Sequence, residues 1–141
     1  MIHIYEQVAN AIKDIEALKW IDIAPRVENH TNIYPAAYIS IDEQTPLNPL
    51  GGTNGIAEAV FSVEIWLKPY GSSTVKPLSP VIEELKNNFE FIAAIRVAIM
   101  NYDSDILGGA TLLSETAEKK EDGFYTVFQR WQCVTRMWDA E

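Results

Sequence analysis

The residues able to do chemistry are few, and their spacing assembles none of the common catalytic or metal-binding patterns. Two histidines occur, His3 and His30. Histidine serves proton transfer near neutral pH because its charge changes there. His3 has no Cys, Asp or Glu at ligand spacing and reads as a surface residue, and His30, within Asn29-His30-Thr31, reads as a loop residue. Cys133 is the single cysteine and lies among Trp131, Gln132 and Val134. A thiol in such a strand is packing rather than a nucleophile. One cysteine permits no intramolecular disulfide and no zinc site built on cysteine spacing, and it fits a reducing compartment. The run Gly51-Gly52-Thr53-Asn54-Gly55 lacks the GK[ST] ending of a phosphate loop and precedes a strand. Asp103 and Asp105 alternate as in a calcium loop, but the glycine and distal glutamate do not follow at the right spacing. Glu83, Glu84, Glu115 and Glu118 read as solvated faces. Gly-x-Ser-x-Gly, His-Glu-x-x-His, Cys-x-x-Cys and a glycine-rich dinucleotide turn are all missing. The sequence therefore predicts no catalytic residue, no cofactor and no metal, and the chain is not read as an enzyme.

A chain of 141 residues suits one domain, 1–141, rather than two. With 48% hydrophobic and 22% charged residues it reads as an ordinary globular protein with a core of its own. The net charge is −9, from 20 acidic and 11 basic residues. That balance argues against a dedicated nucleic-acid binder, which carries a basic stripe. It does not exclude a protein that DNA passes without sticking, since the same Coulomb term that draws phosphate to a basic surface repels it from an acidic one. The start MIHIYEQVAN lacks the basic and apolar regions of a signal peptide. The apolar window 91–100 contains Arg96 and falls short of the ~20 residues a membrane-spanning helix needs. Cytosolic synthesis and no membrane association are expected.

The elements follow from hydrophobic period. Ile4, Val8, Ala11, Ile12, Ile15 and Leu18 share one face of a helix over 2–19. Residues 19–23 form a short strand or an extended connector, ended by Pro25. A strand is predicted over 34–43, with Pro35 at its start, then a loop over 44–55 and a strand over 57–67. After a loop over 68–76, Ser79 caps a helix with Pro80 at its first position; Val81, Ile82, Leu85 and Phe89 form its buried stripe. Asn87-Asn88 is expected to break or kink it, and 91–100 either continues the helix or crosses the sheet as a separate buried element. A strand over 110–118 leads through Asp122-Gly123, a hairpin signal, into the strongest strand, 123–138. There Tyr125, Val127, Gln129, Trp131, Cys133, Thr135 and Met137 form the core phase. Thr126, Arg130, Gln132 and Arg136 form a polar phase interrupted by Phe128, Val134 and Trp138, which suits a face that is partly covered. The expected fold is α+β: a mainly antiparallel four-stranded sheet with helices packed on one face, in the order α-β-β-α-β-β.

Three segments carry a family likeness: Tyr34-Pro-Ala-Ala-Tyr-Ile-Ser-Ile; Phe61-Ser-Val-Glu-Ile-Trp, followed by the helix with Val81-Ile-Glu-Glu-Leu; and Asp122-Gly-Phe-Tyr-Thr-Val-Phe-Gln-Arg-Trp. With the N-terminal helix, their order resembles the bacteriophage minor tail proteins of the tail-terminator (tail-completion) type. The resemblance implies a structural phage or prophage protein that forms a ring, expected to be a hexamer of itself. The ring caps the tail tube and joins it to the head–tail connector proteins, and DNA passes through it without specific binding. It implies assembly in the bacterial host cytoplasm and residence in the virion tail. The candidate interface residues are Leu47 and Leu50 in one loop, Lys68, Tyr70 and Lys76 in the next, and Phe128, Arg130, Arg136 and Trp138 on the last strand, where aromatic and arginine side chains suit an interface. Leu47 and Leu50 serve either the core or a partner. Two other readings are another head–tail adaptor component, and a small-molecule or peptide-binding module with a pocket lined by Trp20, Trp66 and Trp131.

Overall fold

The computed structural model describes residues 2–23, 33–46, 56–67, 79–102, 109–119 and 125–136. Helix α1 (Ile2–Ile12) buries Ile4, Val8 and Ile12, one side chain per turn on one face. It ends at Ile12 rather than reaching Lys19. The chain instead tightens through bonds from Ile15 N to Ile12 O (3.1 Å) and from Leu18 N to Ile15 O (3.0 Å), which hold Ile15 and Leu18 on the core outside a regular helix. Strands β1 (Trp20–Ile23), β2 (Ala36–Pro46) and β3 (Ile56–Leu67) follow, then α2 (Ser79–Asn101), β4 (Thr111–Lys119) and β5 (Tyr125–Arg136).

The sheet corrects the expected fold class. Among the described residues it has five strands in the order β1-β2-β3-β5-β4, and it is mixed, because β1 runs parallel to β2 while the other pairs are antiparallel. The element order is α-β-β-β-α-β-β, not α-β-β-α-β-β around four strands. The added strand is the four-residue segment Trp-Ile-Asp-Ile. So short a segment shows no decisive period, and it becomes a strand by pairing Trp20–Ile23 with Ala36–Ile39. Hairpin reasoning joins neighbours antiparallel and misses a parallel partner reached by a crossover.

Helix α2 runs through Asn87-Asn88 without a break, and 91–100 continues it. An asparagine in a helix costs at most about 0.7 kcal/mol relative to alanine. The burial of Phe91, Ile92, Ile95 and Ile99 against the sheet outweighs that. Among the described side chains of α2 these four are the buried ones; of the expected stripe, Phe89 is 57% exposed, Leu85 is half-buried, and the side chains of Val81 and Ile82 lie outside the described residues. Within 91–100 apolar residues lie on most sides of the helix, so the period there does not by itself fix which side faces inward.

Core side chains of both helices meet one face of the sheet, where Ile39, Phe61, Val63, Ile65, Val127, Trp131 and Cys133 are buried. Phe61 and Trp131 are register partners, and their rings lie stacked with centroids 6.3 Å apart and planes 8° from parallel. Two bulges adjust the strands. Asp42 is the extra residue between the pairs Ile41–Phe61 and Glu43–Val60, and Leu113 is the extra residue between Leu112–Trp131 and Ser114–Arg130.

Burial pushes the Cys133 thiol up from 9.0 to about 12. Burial, with the nearby charge of Asp22 second, also raises Tyr5. Each group keeps its proton in the folded chain at a pH where the unfolded chain has released it. Stability is therefore unaffected by Cys133 below pH 9.0 and falls as pH rises from there toward about 12. Thermal melts across that range should show the fall, and Cys133→Ala should make it shallower. The native thiol should also resist alkylation at pH 8 until the chain is unfolded.

Candidate subunit interface

The face of the sheet opposite the helices is built from the alternate phase of each strand. On β5 it carries Phe128, 41% exposed, Arg130, exposed, and Val134, 44% exposed. Side chains two apart on a strand stand about 7 Å apart on one face, so Phe128 and Arg130 are neighbours, and half-buried Gln132 separates Arg130 from Val134. Glu64 on β3 and Thr116 on β4 flank Phe128; Ser62 and Ser114 flank Arg130; Glu58 lies opposite Val134. These side chains thus stand between hydroxyls and carboxylates.

Farther across this face the polar groups are already engaged. The Asp42 bulge turns its carboxylate to two serines. Ser40 Oγ donates to Oδ1 at 2.7 Å, and Ser62 Oγ donates to Oδ2 across the strand pair. Trp66 Nε1 donates to Glu64 Oε1 at 2.5 Å. Trp20, Ala36 and Trp66 stand in one register row, and the small Ala36 between the two indoles is fully buried. Trp131 lies on the opposite face, inside the core. The three tryptophans of the binding-module reading therefore line no common pocket.

Under α2 a cleft of about 240 Å³ is lined by Phe89, Ile92, Arg96, Glu115, Ala117, Tyr125 and Val127. A polar chain runs from it into the core. Arg96 Nε lies 3.5 Å from Glu115 Oε2, which accepts from Gln129 Nε2 at 2.9 Å; Gln129 Oε1 accepts from Trp131 Nε1 at 3.3 Å. Gln129 is fully buried, and this chain is how its amide is satisfied. It holds no nucleophile, and its parts fix β4, β5 and α2 to one another. Replacing Gln129 with leucine strands the indole N–H of Trp131 and removes a donor from Glu115, which should lower stability by about 1–3 kcal/mol in urea melts. Gln129→Glu should cost more, because it sets a second carboxylate against Glu115. Among the described residues no group of three or more His, Cys, Asp and Glu side chains could hold a metal ion, and no helix is long and apolar enough to cross a membrane.

Of the residues expected from the sequence, Phe128 and Arg130 come together on the outer face, and Arg136 is the last residue of β5, opposite Ile56. Leu47, Leu50, Lys68, Tyr70, Lys76 and Trp138 lie outside the described residues. Sequence reasoning placed Val134 on this face without counting it in the interface. It missed the exposed apolar residues of α2 (Phe89, Val97 and Met100) and Leu113 on β4. The signal for Val97 and Met100 was the apolar character of 91–100 on nearly all sides, more than one buried stripe can use.

No protein-family model matches the chain, and no curated protein matches it. Among solved structures it is similar to a chain of the virion of a native gene transfer agent particle, at 15% sequence identity and a TM-score of 0.50. The match covers 95% of this chain and 92% of that one. At that identity the likeness is one of fold, and it runs almost end to end in both chains.

Proposed function

We propose that this chain is a structural subunit of a phage-like virion, in which it forms a ring that caps the tail tube and joins it to the head connector. The observation that carries the reading is the likeness of fold to a virion component over nearly the whole of both chains. A match of that extent is one of the whole fold rather than of a shared motif. It agrees with the tail-terminator resemblance of the strand segments. The outer sheet face supports it, since an aromatic and an arginine side chain stand exposed on rigid strands. The charge of −9 suits a channel that DNA traverses. The partners are then further copies of this chain, the tube protein and the connector, with assembly in the host cytoplasm and a final place in the virion.

Native mass spectrometry over a range of concentrations, with electron microscopy of any large species, tests it. A sixfold ring that binds purified tail tube is the expected result. A ring that binds connector alone would assign the chain to another head–tail adaptor. A monomer at every concentration that binds neither would overturn the structural reading.

A further inference from the structure

On the helix side of the sheet, the cleft of about 240 Å³ beneath α2 has apolar walls at Phe89, Ile92, Tyr125 and Val127. A cavity of roughly 150 Å³ accepts a benzene ring, so this one has room for an indole. Its rim is charged. Arg96 reaches Glu115 through Nε at 3.5 Å, and its terminal nitrogens bond to no described residue. A guanidinium is a fork of five donors whose geometry matches a carboxylate. The cleft therefore suits an aromatic side chain followed closely by an acid.

Trp138-Asp139 has that composition, and it follows β5, which ends at Arg136. These residues cannot reach the cleft of their own chain. Tyr125 and Val127 stand at the start of β5, and its 12 residues span roughly 37 Å at about 3.4 Å each. Trp138 is two residues past Arg136 and adds a reach of at most about 7 Å. A tryptophan of this sequence that fills the cleft from the end of β5 therefore comes from another molecule. Two nearer segments fit the rim less well. Segment 68–78 starts from Leu67, opposite Tyr125, but it holds no acid, and its Tyr70 stands between Lys68 and Lys76, which Arg96 repels. In segment 120–124 the aromatic residue is Phe124, which the alternation of the sequence sets in the opposite phase from Tyr125.

We propose that the cleft beneath α2 receives Trp138 of a neighbouring copy, with Asp139 of that copy against Arg96. The inference rests on the reading that the chain forms a ring, and it supplies a contact between subunits. The indole takes the apolar walls, and the Arg96 guanidinium stands between two carboxylates, Glu115 of its own chain and Asp139 of the next. Donor and cleft lie at opposite ends of β5, so the contact joins two different surfaces. Such a contact is head-to-tail, and it repeats from copy to copy until a ring closes where the rotation permits. It uses the helix side of the sheet and leaves Phe128 and Arg130 on the other face uncovered.

Two variants of this chain test it in native mass spectra across a concentration series. Trp138→Ala removes the donor and keeps the cleft. Ala117→Trp, at an exposed position lining the cleft, fills it and keeps the donor. Each alone should raise the concentration needed for assembly at least roughly tenfold, the effect of losing one buried aromatic anchor, with the melting temperature unchanged. Mixed in equal amounts, the two should give a one-to-one heterodimer and nothing larger, because one donor then meets one open cleft. Asp139→Lys and Ala117→Arg are the second donor and cleft variants, used where a first one shifts the melting temperature. Rings that persist in both variants would overturn the contact and leave the ring standing. Rings lost in both, with no heterodimer in the mixture, would overturn the head-to-tail pairing of Trp138 with the cleft. A parent chain monomeric at every concentration would overturn the contact, and its failure to bind tail tube or connector as well would overturn the structural reading beneath it.

Discussion

Trp131→Ala should lower the unfolding free energy by about 3–5 kcal/mol, the range for truncating a buried large aromatic. Trp131 is fully buried at the middle of β5, where it pairs with Phe61 on β3 and with Leu112 on β4. Its ring stacks on Phe61 with centroids 6.3 Å apart, and its N–H reaches Gln129 at 3.3 Å. Truncation therefore opens a cavity at the junction of three strands, strips Phe61 of its stacking partner and leaves one amide oxygen of Gln129 without a donor. The cavity is the larger effect, since a net hydrogen bond is worth only about 1 kcal/mol. Against a total stability of about 5–15 kcal/mol the loss is a large fraction. At this chain length it should lower Tm by roughly 10–15 °C. Trp131→Phe keeps most of the ring volume and should recover much of the difference. Urea melts followed by circular dichroism measure both. A loss below about 1 kcal/mol for Trp131→Ala would show that the stack is not a packed part of the core.

The strength of that expectation reflects what was legible in the chain. The inward phase of the last strand could be read from alternation, because side chains two apart share a face and the apolar members carry the burial. Tyr125, Val127, Trp131 and Cys133 all belong to or pack on the core. Gln129 is the instructive member, a polar residue in that phase that is fully buried because Glu115 on β4 and Trp131 on its own strand satisfy it. Glu115 itself read as a solvated face, since its partners Gln129 and Arg96 come from other elements. Pairing was least legible. The parallel placement of β1 depends on a backbone contact between Trp20–Ile23 and Ala36–Ile39, and no local pattern in Trp-Ile-Asp-Ile encodes it. The register bulges at Asp42 and Leu113 were equally hidden, although the first aims the one carboxylate that gathers Ser40 and Ser62. Of the candidate interface residues, the placement of Phe128 and Arg130 on one outer face was readable for the same reason as the core, since side chains two apart on a strand share a face.

Phe128→Asp, combined with Arg130→Glu, should leave rings intact and abolish their binding to the tail tube. The side chains of Phe128, Arg130 and Val134 point away from the sheet and away from both helices. In the proposed ring, that face is then the one offered to another layer of the assembly rather than to a neighbouring copy. Buried aromatic and arginine anchors lose about 2 kcal/mol or more each when truncated at a protein interface. A new charge at 128 and a reversed one at 130 should weaken tube binding by at least roughly a hundredfold, at about 1.4 kcal/mol per tenfold. Both side chains are exposed in the subunit, Phe128 by 41%, so the melting temperature should stay close to that of the parent, within the effect of about 0.5 kcal/mol typical of surface substitutions. Sedimentation of tube with bound ring, alongside native mass spectra of the ring alone, reads both properties. Loss of the ring with the fold intact would place these side chains in the contact between copies, and unchanged tube binding would remove the outer face from the interface altogether.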